Sequence, residues 1–242
     1  MEMTKSPSVG SFVANDFRTA SVFQKYGIDF CCKGGKSVDE VCNAKNIDRS
    51  LLLKELDEVS LIPGNSDNEY SSWSLDKLIN HIESTHHRYI ENACPALFQF
   101  LDKLCNVHGA NHPELFEIKE QFVAAAGELA DHMKKEEMIL FPYVGRMVEA
   151  TNAKEEMNSA AFGSVENPIR MMMHEHDVEG DRFSKISALT NNYTPPTDGC
   201  TTYRVAFAML QEFENDLHKH IHLENNILFP KAIEMEKGLL GI

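Results

Sequence analysis

The stretch that decides the fold is His132-Met-Lys-Lys-Glu-Glu-Met-Ile-Leu-Phe-Pro142, and it recurs 88 residues downstream as His220-Ile-His-Leu-Glu-Asn-Asn-Ile-Leu-Phe-Pro230. An internal repeat of this kind indicates two copies of one structural unit. An offset of 89 residues also places His87 on His176. We therefore expect two helical hairpins related by pseudo-two-fold symmetry, each with the pattern His … His-x-x-x-Glu.

The histidine and the glutamate of each copy are four residues apart, so they share one face of a helix. Leu129 and Met133 lie on the same face as His132, which predicts that the face is buried. A lone buried histidine is usually an ordinary core residue, but a duplicated set is costly to bury unless its members are paired or bind metal. Mixed nitrogen and oxygen ligands, too many for one tetrahedral zinc, suit non-haem iron or manganese. The predicted ligands are His87, His132, Glu136, His176, His220 and Glu224.

The helical pattern extends outward from the repeat and predicts an all-α fold. Four long helices are expected, over residues 74–106, 113–148, 165–189 and 201–237, which is typical of a four-helix bundle. Pro142 and Pro230 fall at equal positions after the ligands. They predict matched kinks or matched helix ends there.

Upstream of the bundle the sequence predicts a small helical domain. Its helices are expected over residues 16–26, 37–45 and 47–61, with Ser37 and Asp48 as N-caps and Glu40 completing a capping box. The segment Ile62-Pro-Gly-Asn-Ser-Asp-Asn68 predicts a linker. The expected division is therefore an N-terminal domain over residues 1–62, a linker over 63–73 and the bundle over 74–242.

Composition limits the classes of partner. The formal net charge is −14 and no cluster of basic residues is present, which argues against nucleic acid or an anionic membrane surface. The first 17 residues lack the basic and apolar regions of a signal peptide, and no apolar run is long enough to span a bilayer. We expect a cytoplasmic protein whose six cysteines are mostly thiols.

Several residues near the predicted ligands are expected to have other roles. His86 and His174 neighbour the predicted ligands in the sequence and should face elsewhere. His218 and His222 are four residues apart on another side of their helix and are expected to form a solvated polar face. Glu175 adjoins a predicted ligand and is a candidate for a supporting hydrogen bond or a proton relay.

The duplicated motif resembles the hemerythrin-like domain of the repair of iron centres family, also called ScdA or YtfE. The opening stretch Phe23-Gln-Lys-Tyr-Gly-Ile-Asp-Phe-Cys-Cys-Lys-Gly-Gly35 is similar to the amino-terminal ScdA domain of that family. The run over residues 191–202 and Leu223-Glu-Asn-Asn226 match the family further. The connection between the second and third bundle helices, residues 149–164, is longer than in the family. This difference affects what the resemblance implies about surface and partner contacts, but not about the metal site.

The resemblance implies a function. The same six ligands would hold two non-haem iron ions per chain, bridged by oxo and carboxylate groups. The protein would repair iron–sulfur clusters damaged by nitric oxide or oxidants, in the cytoplasm and often as a homodimer. Its partners would be damaged iron–sulfur proteins, with nitric oxide or oxygen as a small ligand. Whether iron is donated or used catalytically stays open at this point.

The vicinal cysteines Cys31 and Cys32 lie in a glycine-bearing loop beside Lys33 and Lys36. Nearby positive charge lowers the pKa of a thiol, so a reactive thiolate is expected there. With the resemblance, this pair is a candidate for redox or metal-transfer chemistry. The remaining downstream cysteines are expected to pack as small apolar residues: Cys94, Cys105 and Cys200.

Two other functions compete with cluster repair. A hemerythrin-type carrier or sensor of oxygen or nitric oxide would use the bundle alone and would have no need of the Cys31-Cys32 loop. An enzyme that reduces nitric oxide to nitrous oxide would form product gas from the reduced protein. The presence of the cysteine loop favours repair over a simple carrier.

Overall fold

The computed structural model describes residues 7–61, 70–157 and 160–241. In these ranges the chain is helical, and its β-type contacts are two isolated bridges, Ser8 with Ser37 and Ala160 with Gly163. The all-α prediction is confirmed. Among the helices of the described ranges, none is both long and apolar enough to cross a membrane.

Four short helices form the N-terminal part: α1 (Val9–Asn15), α2 (Thr19–Lys25), α3 (Val38–Lys45) and α4 (Arg49–Leu61). The capping box of Ser37 and Glu40 is present, and the Asp48 carboxylate accepts hydrogen bonds from the first backbone N–H groups of α4. Helix α1 was not predicted. A seven-residue helix is only marginally stable by itself, and this one depends on the burial of Val9 and Val13 in the tertiary structure.

Four long helices form the bundle. The first runs through α5 (Leu75–His81), a π-helical turn (Ile82–His87) and α6 (Arg88–His108), and the second through α7 (Glu114–Lys135), a π-helical turn (Glu136–Leu140) and α8 (Phe141–Ala153). The third is α9 (Glu166–Leu189). The fourth runs through α10 (Thr201–Leu223), a π-helical turn (Glu224–Leu228) and α11 (Phe229–Leu240). Each bundle helix packs against the next, and the fourth packs against the first.

The two prolines of the repeat follow matched π-helical turns rather than helix ends. In each turn a phenylalanine N–H donates to the glutamate carbonyl five residues earlier, Phe141 to Glu136 and Phe229 to Glu224. A proline ring clashes with the carbonyl four residues before it in a regular α-helix. The wider π turn makes room for this ring, so both helices continue past the repeat.

The buried apolar residues form two clusters. One joins the N-terminal helices to the bundle half that contains Leu129 and Leu217, and the other fills the bundle half that contains Phe141 and Phe229. The predicted metal ligands lie between these residues along the second and fourth helices. The metal centre therefore sits between two apolar layers.

The connections differ from expectation in detail. Helix α8 extends to Ala153, five residues further than predicted, and takes up the start of the long connection before the third helix. A short 3-10 helix, Tyr70–Ser72, occupies the end of the predicted linker. The rest of the linker prediction, over residues 62–69, lies outside the described residues.

Candidate metal centre

Six buried side chains from the four bundle helices meet near the middle of the bundle. Each of them is at most 3% exposed, although all six are polar or charged. The first and third helices give one histidine each, and the second and fourth give a histidine and a glutamate each. The structure thus brings together the six predicted residues: His87, His132, Glu136, His176, His220 and Glu224.

These side chains form two groups of four. One group contains His87 and His220, the other contains His132 and His176, and both glutamates belong to each group. Within each group the potential ligand atoms lie within 4.8 Å of one another. Each group is therefore compact enough to hold one metal ion.

Each carboxylate faces both groups. The Glu136 oxygens lie 3.4 Å from Nε2 of His87 and 3.4 Å from Nε2 of His132. The Glu224 oxygens lie 3.1 and 3.0 Å from Nε2 of the other two histidines. A carboxylate whose two oxygens face two groups is placed to bridge two cations.

Several polar atoms at this centre are buried without a hydrogen-bond partner among the described residues. They include both Glu136 oxygens, Oε2 of Glu224 and Nε2 of His87. Leaving such a group unpaired costs about 1 to 3 kcal/mol. A cation satisfies all of them at once, and imidazole nitrogens with carboxylate oxygens are suitable donors for a transition metal. The residues present therefore fit a metal centre.

The carboxylates and imidazoles of the centre shift one another's pKa values. Burial alone would lower the pKa of His87 and His132, but the adjacent Glu136 carboxylate outweighs it and raises these pKa values to about 9 and about 10. Burial and the neighbouring carboxylate oppose ionisation of Glu136, yet the adjacent imidazoles keep its pKa below the ordinary value. His220 and His176 hold the pKa of Glu224 far lower still, against its burial. Both glutamates are therefore anionic.

Hydrogen bonds on the outer side of the ligands follow the pseudo-two-fold symmetry. The Nδ1 atom of His87 lies 2.7 Å from Glu137 Oε1, and that of His176 lies 2.9 Å from Asn225 Oδ1. Glu137 and Asn225 occupy equal positions in the repeat. Such contacts orient a ligand ring and fix which of its nitrogens faces the metal.

The other two histidines break this symmetry. His132 Nδ1 is 2.8 Å from Glu175 Oε2, and the other Glu175 oxygen accepts a hydrogen bond from Lys135 at 2.5 Å. The residue equivalent to Glu175 is His86, whose ring stacks on that of His220 with centroids 5.6 Å apart. Nδ1 of His220 has no hydrogen-bond partner among the described residues. The two groups of four are consequently supported unequally.

A cavity of about 280 Å³ leads from the surface to His132 and His176. Arg182 pairs with two of the acidic groups on its walls, Glu128 and Glu179. Lys135 pairs with a third acidic group, Glu175, and burial raises the pKa of Glu179 to about 7, so much of the charge on the walls is balanced. The charged residues of the walls are four carboxylates and one lysine: Glu128, Asp131, Glu175, Glu179 and Lys135.

The prediction for His218 and His222 was wrong. His222 is 1% exposed, His218 is half-buried, and both rings lie 6.0 Å from the ring of Phe30 in the N-terminal part. Burial lowers the pKa of both, to about 4 for His222. They form part of the surface on which the N-terminal helices dock. His86 and His174 both lie outside the two ligand groups, as expected. His174 is exposed, and His86 is buried and bonds to Asp216 at 2.9 Å.

The vicinal cysteines lie beside the centre, but their electrostatics differ from the prediction. Cys32 Sγ is 3.5 Å from Cys31 Sγ and 3.4 Å from the carbonyl oxygen of His176. The Cys32 thiol, burial and the charge of Asp29 raise the pKa of Cys31 well above its ordinary value. For Cys31 the expected lowering of the pKa by lysines was wrong, because Lys33 pairs with Asp181 and the buried Cys31 thiol meets the Asp29 carboxylate instead.

Cys200 also departs from the prediction, since it is exposed and does not pack in the core. His108 Nε2 lies 3.2 Å from its sulfur. This contact, with the backbone N–H groups at the start of α10, lowers the pKa of Cys200 to about 7. Cys94 and Cys105 are half-buried and buried, respectively, as predicted.

The N-terminal part docks next to the metal centre through two asparagines of the fourth helix. Asn225 Nδ2 donates to the Cys31 carbonyl at 3.4 Å, and Asn226 Nδ2 donates to the same carbonyl at 3.2 Å. Gly10 and Gly34 lie against the Asn226 side chain, where a Cβ atom at Gly10 would overlap Asn226 Oδ1. The loop that carries the cysteines is thus anchored directly behind two ligand-bearing helices.

Sequence reasoning missed three residues at this place: Asp29, Glu137 and Asn225. The repeat contained the signal for two of them, because Glu137 and Asn225 both follow a ligand glutamate directly. Asp29 had no such signal. Its proximity to the cysteines was visible, but its carboxylate position depends on the turn of the loop.

Comparison with protein-family models divides the chain as follows. Residues 5–60 match the ScdA_N domain, a domain of unknown function. Residues 78–232 match the hemerythrin HHE cation binding domain. The second match includes all six residues of the candidate centre.

Full-length relatives are also similar. The chain is 34% identical to a probable iron–sulfur cluster repair protein of Haemophilus influenzae over 88% of this chain and 90% of that protein. It is 32% identical to the iron–sulfur cluster repair protein YtfE of Dickeya chrysanthemi over 96% of this chain and 99% of that protein. It is 29% identical to the iron–sulfur cluster repair protein ScdA of Staphylococcus epidermidis over 95% of this chain and 99% of that protein.

Proposed function

The chain belongs to the ScdA/YtfE family of iron–sulfur cluster repair proteins, and we propose that it repairs clusters damaged by nitrosative or oxidative stress. The proposal assigns a di-iron centre to the bundle, residues 74–242, and a thiol loop to the N-terminal domain, residues 1–62, with 63–73 as the linker. Damaged iron–sulfur proteins are the partners. The expected setting is the cytoplasm, where the chain acts as a homodimer.

One observation carries the proposal: two compact groups of ligands share both carboxylates. Six donors divided over two ions leave coordination positions open on each, which suits non-haem iron better than structural zinc. When bound, the two irons supply redox chemistry and open positions for nitric oxide or oxygen. Every other part of the mechanism belongs to the protein's own residues.

The residues divide the work between holding and orienting. Glu136 and Glu224 would each be shared between the two ions, and each lies one helical turn after a histidine, so that one short stretch of helix would give two ligands. Glu137, Asn225 and Glu175 accept hydrogen bonds from the outer ring nitrogens and so direct Nε2 toward the centre. The apolar layers on both sides exclude water from the ligands.

The thiols complete the proposed mechanism. Cys32 Sγ lies 3.4 Å from the carbonyl oxygen of His176, and Cys31 Sγ lies 3.5 Å from Cys32 Sγ. We assign them redox or metal-transfer chemistry during repair, because both line one cleft, where Cys32 is half-buried and Cys31 is buried. Double replacement of this pair by alanine should abolish repair and leave the iron centre intact.

The metal part of the proposal is tested by anaerobic reconstitution of the full chain with ferrous iron. The proposal predicts two irons per chain, one for each group of four potential ligands. The paired variant Glu136→Ala with Glu224→Ala should lose both, since each glutamate serves both groups. A native chain that retains one iron or none, or a paired variant that retains two, contradicts the di-iron assignment.

The repair part is tested with a purified iron–sulfur enzyme inactivated by nitric oxide. The iron-loaded native chain should restore its activity. The paired glutamate variant should not restore it. Glu166→Ala removes an exposed carboxylate that pairs with Lys237 at the start of the third helix, ten residues before His176, and this variant should restore the activity fully. Equal restoration by native chain and paired glutamate variant would show that the centre has no part in repair.

A further inference from the structure

We propose that Asp29, Cys31 and Cys32 form a third metal site, which binds one divalent transition-metal ion through two thiolates and one carboxylate. The three potential ligand atoms lie within 4.8 Å of one another, as compact as either group of the bundle centre. The site belongs to the N-terminal loop, and it is separate from the six ligands of the bundle.

The spacing of the sulfurs fits one shared ion. Two thiolates on a tetrahedral ion, each at about 2.3 Å from it, are separated by about 3.8 Å. Cys31 Sγ and Cys32 Sγ are 3.5 Å apart. A disulfide would require about 2.05 Å. The pair is thus arranged to chelate and is not closed as a disulfide.

The third ligand is held in place by the loop backbone. Asp29 Oδ1 accepts hydrogen bonds from the N–H groups of Cys31 at 3.1 Å and Cys32 at 2.9 Å, and it lies 3.3 Å from Cys31 Sγ. These bonds fix the carboxylate beside both sulfurs before any ion arrives. Such preorganisation reduces the entropy lost on binding.

The surroundings leave room for an ion. The site lies on the wall of a cleft of about 750 Å³ between the N-terminal part and the third helix. Gly180 lies close beside Cys32, where a Cβ would come within 3.1 Å of the sulfur, so a residue without a side chain at this position leaves the sulfur less crowded. Lys33, the nearest basic residue in sequence, is 3.6 Å from Asp181 and so has a partner for its charge. Three protein ligands leave a fourth position open toward the cleft, as in sites that exchange ligands.

The third site is coupled to the bundle centre through one amide side chain. Asn225 Oδ1 meets Nδ1 of His176 at 2.9 Å, and Asn225 Nδ2 donates to the Cys31 carbonyl at 3.4 Å. Cys32 Sγ is also 3.4 Å from the His176 carbonyl oxygen. An ion that leaves the bundle centre therefore has a thiolate site close by, in a loop that contacts His176 directly. Only this origin of the ion depends on the proposed function, since the site can also load from solution.

Binding at the third site is a ligand exchange without electron transfer. A hydrated divalent ion loses water, forms two metal–sulfur bonds and one metal–oxygen bond, and displaces two thiol protons to solvent. The net charge of the loop and the bound ion together is unchanged by this exchange.

The test is an anaerobic titration of the full metal-free chain with Co²⁺, followed by absorption. The bundle centre contains no sulfur, so an intense near-ultraviolet band from sulfur to cobalt reports the third site alone. One equivalent of Co²⁺ should account for this band, in addition to two equivalents at the bundle centre. X-ray absorption should show cobalt–sulfur bonds of about 2.3 Å.

Variants distinguish the site from adventitious binding. Cys31→Ser with Cys32→Ser should remove the band, and Asp29→Asn should weaken Co²⁺ binding at least tenfold, while both retain two equivalents at the bundle centre. The matched control Cys94→Ser, another half-buried thiol, and Cys200→Ser, the exposed one, should leave the band unchanged. Circular dichroism establishes that each variant is folded.

Three outcomes overturn the proposal: no sulfur band, a band that survives loss of both vicinal cysteines, or full affinity in Asp29→Asn. The same titration also counts the ions bound at the bundle centre. Failure of the third-site proposal can therefore be distinguished from failure of the di-metal proposal. Two equivalents without a sulfur band would reject the third site and leave the di-metal centre standing. A sulfur band without two further equivalents of Co²⁺ would support the third site and reject the di-metal centre.

Discussion

Replacement of Glu175 by alanine should weaken one metal position and spare the other. Glu175 accepts a hydrogen bond from the outer nitrogen of His132 at 2.8 Å, and its other oxygen is fixed by Lys135 at 2.5 Å. Its carboxylate is ionised, because Lys135 and His132 lower its pKa against partial burial. The bond is therefore charge-assisted and orients the ring.

The magnitude follows from this geometry. Loss of an outer hydrogen bond to a ligand histidine typically costs about 10- to 100-fold in metal affinity. This corresponds to about 1.4 to 2.7 kcal/mol. The loss should fall on the position of His132 and His176. The position of His87 and His220 has no contact with Glu175 and should keep its affinity.

The assay is an anaerobic Co²⁺ titration against a competing chelator, fitted with two dissociation constants for the bundle centre. Asp131→Ala is the matched control, because Asp131 lines the same cavity and carries the same charge without a hydrogen bond to a ligand. Glu175→Gln, which retains an acceptor without the charge, should be intermediate. Equal weakening of both positions, or an equal effect of Asp131→Ala, would refute the reasoning and reduce Glu175 to a general electrostatic role.

Three further outcomes are expected. Gly10→Ala should destabilise the chain by about 1 to 3 kcal/mol in urea unfolding, because its Cβ overlaps the Asn226 amide, whereas Gly35→Ala meets open space and should be neutral. Alkylation of Cys200 should rise with pH with a midpoint near 7, since the thiolate reacts and His108 stabilises it, and His108→Ala should move that midpoint upward toward 9. Removal of metal by a chelator should lower the melting temperature by about 5 to 10 °C, because ligand at 100 times its dissociation constant contributes about 2.7 kcal/mol.

Each of these outcomes has a result that would contradict it. Equal unfolding midpoints for Gly10→Ala and Gly35→Ala would mean that the contact between Gly10 and Asn226 adjusts to a Cβ atom without loss of stability. An unchanged alkylation profile in His108→Ala would assign the reactivity of Cys200 to the helix terminus alone. A melting temperature insensitive to metal would show that the centre does not bind the folded state selectively.

The repeat predicted the six ligand residues from the sequence alone, because most of the pattern depends on residues that are close together in the chain. Helical periodicity places residues four apart on one face, so the pairing of His132 with Glu136 required only the sequence. His87 and His176 came from the equal offset, which works because the two hairpins share one packing arrangement. The protein-family comparison then found the same two-part organisation, an ScdA_N domain and a hemerythrin HHE domain.

Burial across the domain contact could not be predicted in the same way. His222 has the spacing of a solvent-exposed residue, yet the loop at Phe30 covers it. Cys31 has lysines near it in sequence, but its immediate neighbours in space are Asp29 and Cys32. The bonds that seat this loop join residues 194 to 196 positions apart.

The sequence by itself determined an all-α chain, a duplicated bundle and six side chains facing one point, because these depend on periodicity within each helix. Only the tertiary structure decided which carboxylates support which histidines, and that the cysteine loop lies against the helix of His176. These features depend on how separate surfaces pack, since the energy of a contact depends on distance in space and not on distance along the chain. The third metal site proposed for Asp29, Cys31 and Cys32 owes its compactness to the local turn and its place beside the centre to that packing.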